Sequence, residues 1–314
     1  MTAPRRTRPS RTWLKIFWVG LALWVATVLV TVITSNTNLV PTIVLLGSFL
    51  VPVTFVVWAY EHGTSGEITV PVLFTAFVVG GVLGVLGASL LETYLLDPSL
   101  WMYVGVGLIE EAVKLAALMF VARHLRGRSL RDGLVLGATV GFGFAAFESA
   151  GYALNALFTV EGISLRSMIE TEILRGILTP LGHGLWTAIV GGVLFAASRG
   201  HRHWRITGPV VLAYLGVSLL HALWDSMHGL AIGLTLVLTG TPWQYDLLQH
   251  GYLPRATTTQ SHLITIFNAV GILAISLIAL TWLRSLYHRS RAVRPPADPN
   301  DATWTDPTQS HTHT

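Results

Sequence analysis

Seven ionisable residues interrupt apolar stretches between positions 110 and 225 of this 314-residue chain. They are Glu110, Glu111, Lys114, Glu148, His183, His221 and Asp225. A charged side chain at the centre of a bilayer costs about 2.5–3.5 kcal/mol on insertion scales, so such groups should face one another or a wet cavity. Carboxylates and histidines around a cavity suit the activation of water. A carboxylate acts as general base, and imidazoles bind a metal or stabilise an oxyanion.

The spacing of these residues indicates which of them share a helix face. Glu110 and Lys114 are four residues apart, as are His221 and Asp225, so each pair lies on one face. Asp225 can orient the ring of His221 or join it in a ligand cluster. Glu111 is rotated by about 100° from Glu110. Only one of these two glutamates is therefore expected to point at a given centre, and the spacing leaves open which one.

The chain lacks the motifs of several other hydrolase classes. It has no His-Glu-x-x-His helix and no Gly-x-Gly-Asp, and its one Gly-x-Ser-Gly, Gly63-Thr64-Ser65-Gly66, lies in the polar segment between two predicted spans; this disfavours the zinc, aspartyl and rhomboid-type serine classes of intramembrane protease. It also has no cysteine. A cysteine nucleophile, thiolate ligands and disulfides are therefore excluded.

The composition indicates that membrane helices position these residues. Hydrophobic residues make up 52% of the chain and charged residues 11%, whereas soluble proteins carry about 25% charged residues. Apolar runs of roughly 18 to 30 residues match the length that a helix needs to cross a bilayer. The prediction is an all-α, polytopic transmembrane bundle of about eight spans. The predicted spans are 16–33, 39–60, 70–91, 100–121, 133–158, 173–197, 208–236 and 263–286.

The placement of basic residues predicts the orientation of the bundle. With a cytoplasmic N-terminus, sixteen of the 20 Lys and Arg residues lie on the inner side. Arg166, Arg175 and Arg255 fall on the outer side, and Lys114 falls within a span. This asymmetry favours an N-in, C-in topology with an even number of spans. The net charge of +4 is explained by this placement, so no nucleic-acid partner is expected.

Three regions follow from this topology. Residues 1–15 form a basic cytoplasmic N-terminus, residues 16–288 form the membrane domain, and residues 289–314 form a cytoplasmic tail expected to be disordered. The first apolar run is expected to be a retained helix, because no small-residue cleavage site follows it. Glycine pairs at four-residue spacing, Gly80 with Gly84 and Gly137 with Gly141, predict close helix packing.

The predicted spans place the polar residues at one depth. Glu110, Glu148, His183 and Asp225 each lie ten or eleven residues from the outer end of their span. At 1.5 Å per residue this is roughly 15 Å below the outer surface. Four helices are therefore expected to bring their polar groups to one plane.

Four motifs in order resemble the PrsW family of intramembrane proteases, within the superfamily of CAAX prenyl endopeptidases and Abi proteins. They are Glu110-Glu111-x-x-Lys114, Phe144-x-x-x-Glu148, a lone His183, and His221-x-x-x-Asp225, within a protease core at about 100–235. The resemblance implies cleavage of a single-span membrane protein, such as an anti-sigma factor, in a bacterial plasma membrane. One departure is Ser149, which stands where the family often has Asn.

The resemblance also implies roles for the individual residues. Glu110, Glu111, Glu148, His183 and His221 are the candidate catalytic residues, with Lys114 and Asp225 in support. Glu148, His183 and His221 are candidate ligands of a divalent metal such as zinc. Relatives in the superfamily leave open whether a metal takes part or a glutamate suffices.

Two alternative functions use the same residues. Intramembrane carboxylates and histidines also build ion paths, so a proton- or cation-coupled transporter is one alternative. The halves of the chain show no clear inverted repeat, which many such transporters have. The other alternative is an inactive membrane scaffold, although all the expected polar residues are present.

Overall fold

Long helices make up almost the whole of the computed structural model, which describes residues 11–62, 67–99 and 101–292. In lipid a helix satisfies its backbone N–H and C=O groups within its own segment, and the apolar runs of this chain accordingly form helices. These are α1 Thr12–Thr34, α2 Val40–Glu61, α3 Val70–Val78, α4 Gly84–Leu95, α5 Met102–Val121, α6 Leu130–Leu157, α7 Leu165–Leu178, α8 His183–Ala197, α9 Gly208–Thr239, α10 Pro242–Gln249 and α11 Thr258–Ala292. The predicted all-α class is confirmed.

Short elements join these helices. Helical turns of the 3-10 type cover Thr37–Leu39, Ala122–His124 and Thr179–Leu181, and a π-helical turn at Val79–Leu83 joins α3 to α4. The strands Phe158–Thr159 and Gly162–Ile163 form a small antiparallel hairpin after α6.

Seven segments are long and apolar enough to cross a membrane. They are Thr12–Thr34, Thr37–Glu61, Val70–Leu95, Leu130–Leu157, Leu165–Ala197, Gly208–Thr239 and Thr258–Arg289. The predicted fourth span corresponds to α5, which carries Glu110, Glu111 and Lys114 within 20 residues. All three charged residues are buried in the bundle. The count of eight spans and the N-in, C-in orientation remain predictions.

The predicted sixth span differs from the structure in two ways. Residues 165–172, expected in an outer loop, begin α7, and the side chain of Ser164 caps this helix by accepting from the N–H of Ser167. The helix is then interrupted by the Thr179–Leu181 turn, because Pro180 has no N–H with which to continue it. A new helix, α8, begins at His183.

Two other predicted boundaries shift at the ends of the chain. The predicted disordered tail, 289–314, begins inside α11, so residues 289–292 are helical and that part of the prediction is wrong. The rest of the tail, from residue 293, lies outside the described residues. The predicted N-terminal segment 1–15 overlaps α1 from Thr12, and residues 1–10 also lie outside the described part.

Helix α6 forms the centre of the bundle and packs closely on α8. Its apolar window is 78% buried, against 6% for α1 and 17% for α11. The contact depends on a glycine column formed by Gly133, Gly137 and Gly141. A Cβ atom at any of these positions would collide with the backbone of α8. The column therefore sets the register between α6 and α8, as small residues do in membrane helix pairs.

The other predicted glycine pair also lies at a helix contact. Gly80 faces the backbone of Val140, and Gly84 faces the ring of Phe144. Both pairs thus have the packing role that their spacing predicts.

Helix α7 is attached to α1 and α2 by a buried carboxylate. Glu172 is only 4% exposed and accepts a hydrogen bond of 2.8 Å from the indole N–H of Trp24. Its Oε1 has no hydrogen-bond partner among the described residues. The carboxylate lies over Gly47 of α2, where a Cβ atom would collide with it. Glu172 therefore fixes α7 against α1 and α2.

Candidate active site

All seven ionisable residues singled out in the sequence lie in one connected network. Helix α5 contributes Glu110, Glu111 and Lys114, and α6 contributes Glu148. His183 is the first residue of α8, and α9 contributes His221 and Asp225. The expectation that four successive helices bring these groups together agrees with the structure.

Lys114 links the two glutamates to the first histidine. Its Nζ lies 3.1 Å from Glu110 Oε2 and 2.8 Å from Glu111 Oε1, and it donates to Nδ1 of His183 at 2.8 Å. The side chain is fully buried, with its ammonium 4.2 Å from the centre of the Phe144 ring. An ammonium group has three donors, and all three are used here. Two carboxylates therefore lie against one buried cation, and a charge out of water requires at least one of them.

Both carboxylate oxygens of Glu111 accept hydrogen bonds from neighbouring side chains. Oε1 accepts from Lys114 and, at 3.0 Å, from Nδ1 of His221. Oε2 accepts from the hydroxyl of Thr187 at 3.4 Å. The side chain is 1% exposed. Glu111 is thus placed to orient Lys114 and His221.

Glu110 has a free oxygen. Its Oε2 lies 3.1 Å from Lys114 Nζ, 3.6 Å from His221 Nε2 and 3.9 Å from His183 Nδ1. Its Oε1 has no partner among the described residues, and the carboxylate lines a cleft in the bundle. This difference from Glu111 follows from the rotation of about 100° between consecutive helical residues.

His221 is held between α5 and its own helix. Its Nδ1 donates to Glu111, and its Nε2 lies 3.3 Å from Asp225 Oδ2. The ring of Trp186 packs against it with centroids 4.7 Å apart. Asp225 therefore faces His221 as the four-residue spacing predicts.

Glu148 and His183 are joined to an arginine that the sequence analysis did not assign to the site. Nε2 of His183 donates to Glu148 Oε2 at 3.1 Å, and Nη2 of Arg175 donates to the same oxygen at 2.5 Å. Arg175 also donates from Nε to Ser149 Oγ at 2.8 Å, and its guanidinium lies 4.2 Å from the centre of the Tyr152 ring. Arg175 thus contacts one face of α6 at three points.

Arg175 was assigned to the outer side because it lies at the outer end of the predicted sixth span. Arg175 lies two residues inside the predicted sixth span, and this position was the indication in the sequence that its side chain reaches the site. The partner on α6 cannot be identified from spacing alone, because the contact joins two helices.

Two clefts reach the network from different sides. The arginine cleft, of about 630 Å³, is lined by residues of α6 to α9, among them Arg175, His183 and Trp186. The glutamate cleft, of about 930 Å³, is lined by residues of α4, α5, α6 and α9, among them Glu92 and Glu110. Glu148, Tyr152 and Asp225 line both clefts. These clefts provide space for water beside the network.

A compact group of metal-ligating atoms is formed by Glu110, His183 and His221. One atom from each lies within 4.8 Å of the others. Carboxylate and imidazole ligands suit a divalent metal such as zinc, and the bond from His221 to Glu111 is the outer support that ligating histidines usually have. The residues therefore fit a metal. The predicted ligand set contained Glu148 where this group contains Glu110. Oε2 of Glu148 is instead bonded to Arg175.

The break before α8 supplies backbone donors beside the network. Gly182 has φ −106° and ψ −128°, and the helix starts directly after it. Within the described residues, the N–H groups of His183 and Gly184 have no acceptor, whereas those of Leu185 and Trp186 bond to the Gly182 carbonyl. The first N–H groups of a helix attract negative charge.

Comparisons with known proteins agree with this geometry. Residues 68–248 match the family described as PrsW family intramembrane metalloprotease. The chain is 28% identical over 169 residues to Protease PrsW of Halalkalibacterium halodurans, an alignment that covers 54% of this chain and 73% of that relative. No solved structure matches the chain. All seven network residues lie within the matched segment.

Proposed function

The chain belongs to the PrsW family of intramembrane metalloproteases, and on that premise we propose that Glu110 activates water to hydrolyse a peptide bond of a membrane-anchored substrate. The family and the seven apolar spans make it a multi-pass membrane protein. The reaction therefore takes place among helices that hold the site away from bulk water.

The different surroundings of Glu110 and Glu111 carry this proposal. Glu111 accepts hydrogen bonds on both oxygens and is 1% exposed, so it has no position for a water. Glu110 lines the glutamate cleft and has a free Oε1. A general base must lie within hydrogen-bond reach of the proton that it takes, and Glu110 meets this condition.

The other residues have roles that follow from their contacts. Glu110 takes a proton as the water oxygen attacks the peptide carbonyl carbon, and the proton then passes to the leaving amine as the C–N bond breaks. The free N–H groups of His183 and Gly184 lie beside the network, where they can stabilise the oxyanion formed in between. Lys114 holds Glu110 in place, and Asp225 faces His221.

Glu110, His183 and His221 are the residues that would hold a divalent metal. A bound metal would supply polarisation of the water and of the substrate carbonyl.

The proposed substrate is a single-span membrane protein. Its extended segment would enter a cleft, and the resemblance noted in the sequence suggests an anti-sigma factor in a bacterial plasma membrane. The size of the two clefts supports an extended segment, because a whole helix has a diameter of about 10–12 Å.

Cleavage by the reconstituted protein tests the proposal. Wild-type protein and Glu110→Gln are placed in liposomes with a panel of single-span membrane proteins, and fragments are identified by mass spectrometry. We expect Glu110→Gln to reduce cleavage about 100-fold or more, the usual range for loss of a general base. The control is Glu170→Gln, because Glu170 is exposed on α7 and pairs only with Arg166.

Two further outcomes have definite meanings. Full cleavage by Glu110→Gln, with loss in Glu111→Gln, would reject Glu110 and assign the base to its neighbour. Loss of wild-type cleavage with a chelator, restored by zinc, would support the metal set.

A further inference from the structure

A third cleft lies away from the proposed active site, beyond the C-terminal end of α5. It has a volume of about 940 Å³ and lies between two loops, residues 122–129 after α5 and residues 198–207 after α8, of which eight residues line it. Six of its eight lining residues are basic or histidine. They are Arg123, His124, Arg126, Arg128, His201 and Arg202. None of the lining residues is acidic, so the cleft concentrates positive charge.

Arg128 forms the floor of this cleft and is nearly inaccessible, with 4% of its surface exposed. Its Nη1 and Nη2 donate to the backbone carbonyls of His201 and Arg202 at 3.3 and 3.4 Å. Its guanidinium lies 3.8 Å from the centre of the Trp204 ring. The contacts hold the group rigidly, but none of them supplies a negative charge.

The remaining nitrogen of Arg128 has no partner. Its Nε is buried without a hydrogen bond, and no carboxylate within the described ranges forms an ion pair with this arginine. A buried charge is normally paired, because transfer out of water is costly. An unpaired guanidinium in a basic cleft therefore indicates that an anion completes the site.

An acidic residue that contacts one of these loops is already engaged. Glu67 accepts from the backbone N–H groups of Arg126 and Gly127 at 2.9 to 3.1 Å. Glu67 thereby fixes the loop, and it does not line the cleft. The side chains of Arg126 and Arg202 remain exposed and without ion pairs in the described part of the chain.

The cleft lies at an end of the helices, beyond the apolar residues of α5 and α8. It follows the C-terminal ends of α5 and α8 and precedes the start of α6 and α9. Basic pockets in this position bind the phosphates of anionic lipid headgroups. The guanidinium fork matches phosphate oxygens in geometry as well as in charge.

We propose that the cleft between residues 122–129 and 198–207 is a binding site for a phosphate-bearing anion, with Arg128 as its floor and Arg126 and Arg202 at its mouth. A phospholipid headgroup and a soluble phosphate share this chemistry. The site is independent of the proposed proteolysis, because none of its residues contacts the catalytic network.

Native mass spectrometry of the delipidated full-length protein in detergent tests the proposal. The protein is titrated with phosphatidylglycerol, with phosphatidylcholine and with inorganic phosphate. We expect wild-type protein to retain phosphatidylglycerol in preference to phosphatidylcholine, and Arg126→Gln/Arg202→Gln to bind it at least about tenfold more weakly. This double variant leaves the backbone contacts of Arg128 in place.

A second double variant is the matched control. Arg199→Gln/Arg289→Gln removes the same charge from exposed positions that do not line the cleft, and its affinity should stay within about twofold of wild type. Inorganic phosphate binding that is lost only in Arg126→Gln/Arg202→Gln would support the same site with a soluble ligand. Equal affinity in both double variants, or no binding of any phosphate compound by wild type, would overturn the proposal.

Discussion

At the scale of single residues, the contacts of Lys114 show why a lysine follows the two consecutive glutamates. One helical turn beyond Glu110, its Nζ contacts both glutamates and also His183 on another helix. One carboxylate is then needed to balance the buried ammonium, and the other is available for chemistry. In the proposed mechanism the pair therefore divides into a structural partner, Glu111, and a reactive one, Glu110.

Glu111→Gln is expected to destabilise the protein more than Glu110→Gln does. Loss of the Glu111 charge weakens the bonds to Lys114 and His221 together, and breaking a buried pair costs about 3–5 kcal/mol. Thermal unfolding of both variants in the same detergent measures the difference. A lower melting temperature for Glu110→Gln than for Glu111→Gln would contradict this division of roles.

Arg175→Lys is expected to lower kcat about tenfold with little change in KM. A lysine can bond to Glu148, but it cannot also donate to Ser149 through a planar fork or stack on Tyr152. Glu148 and His183 then lose their fixed positions. Arg166→Lys is the control, because Arg166 is on the same helix with its side chain 87% exposed. Unchanged kcat in Arg175→Lys would show that Arg175 does not position the site.

All seven network residues could be predicted from residue type and spacing, because an ionisable group within an apolar span needs a partner. Arg175 could not be assigned in the same way. Its contacts depend on where α7 lies against α6, and this in turn depends on the break at Gly182 and on the buried Glu172.

At the scale of helices, the glycine column determines how close α6 comes to α8. Gly141 faces the backbone of His183, so the column also sets the distance from α6 to a residue of the polar network. The glycine spacing predicted close packing, but it did not identify α8 as the partner.

Gly141→Ala is expected to impair both stability and cleavage. The added Cβ would meet the carbonyl group of His183, a backbone atom that cannot move without shifting α8. Gly151→Ala is the matched control on the same helix, because nothing lies within 4 Å of its added Cβ. The control should be neutral or stabilised by up to about 1 kcal/mol, since alanine favours a helix over glycine. Equal melting temperatures and activities for the two variants would contradict this role of the column.

The molecule as a whole combines a buried polar centre with lipid-facing outer helices. Hydropathy predicted the helices well, because length and composition suffice for a segment to cross lipid. It did not predict α10 or the first turns of α7, since these segments are short and contain polar residues.

The orientation can be measured with single cysteines, because the natural chain has none. His203→Cys lies before α9 and His250→Cys lies after it, both at exposed positions. If the N-terminus is inside, a membrane-impermeant maleimide should label His250→Cys in intact cells and His203→Cys only after permeabilisation. The reverse pattern would show that the N-in, C-in prediction is inverted.

The interruption between α7 and α8 determines which sides of the molecule can contact lipid acyl chains. Backbone outside a helix is tolerated at membrane depth only where protein covers it or where it lines an aqueous space. Thr179 and Gly182 line the arginine cleft, so we expect water rather than hydrocarbon on this side. Helices α1 and α11, 6% and 17% buried, present their apolar faces outwards instead. The ring of lipid around the bundle is therefore expected to be interrupted at the arginine cleft.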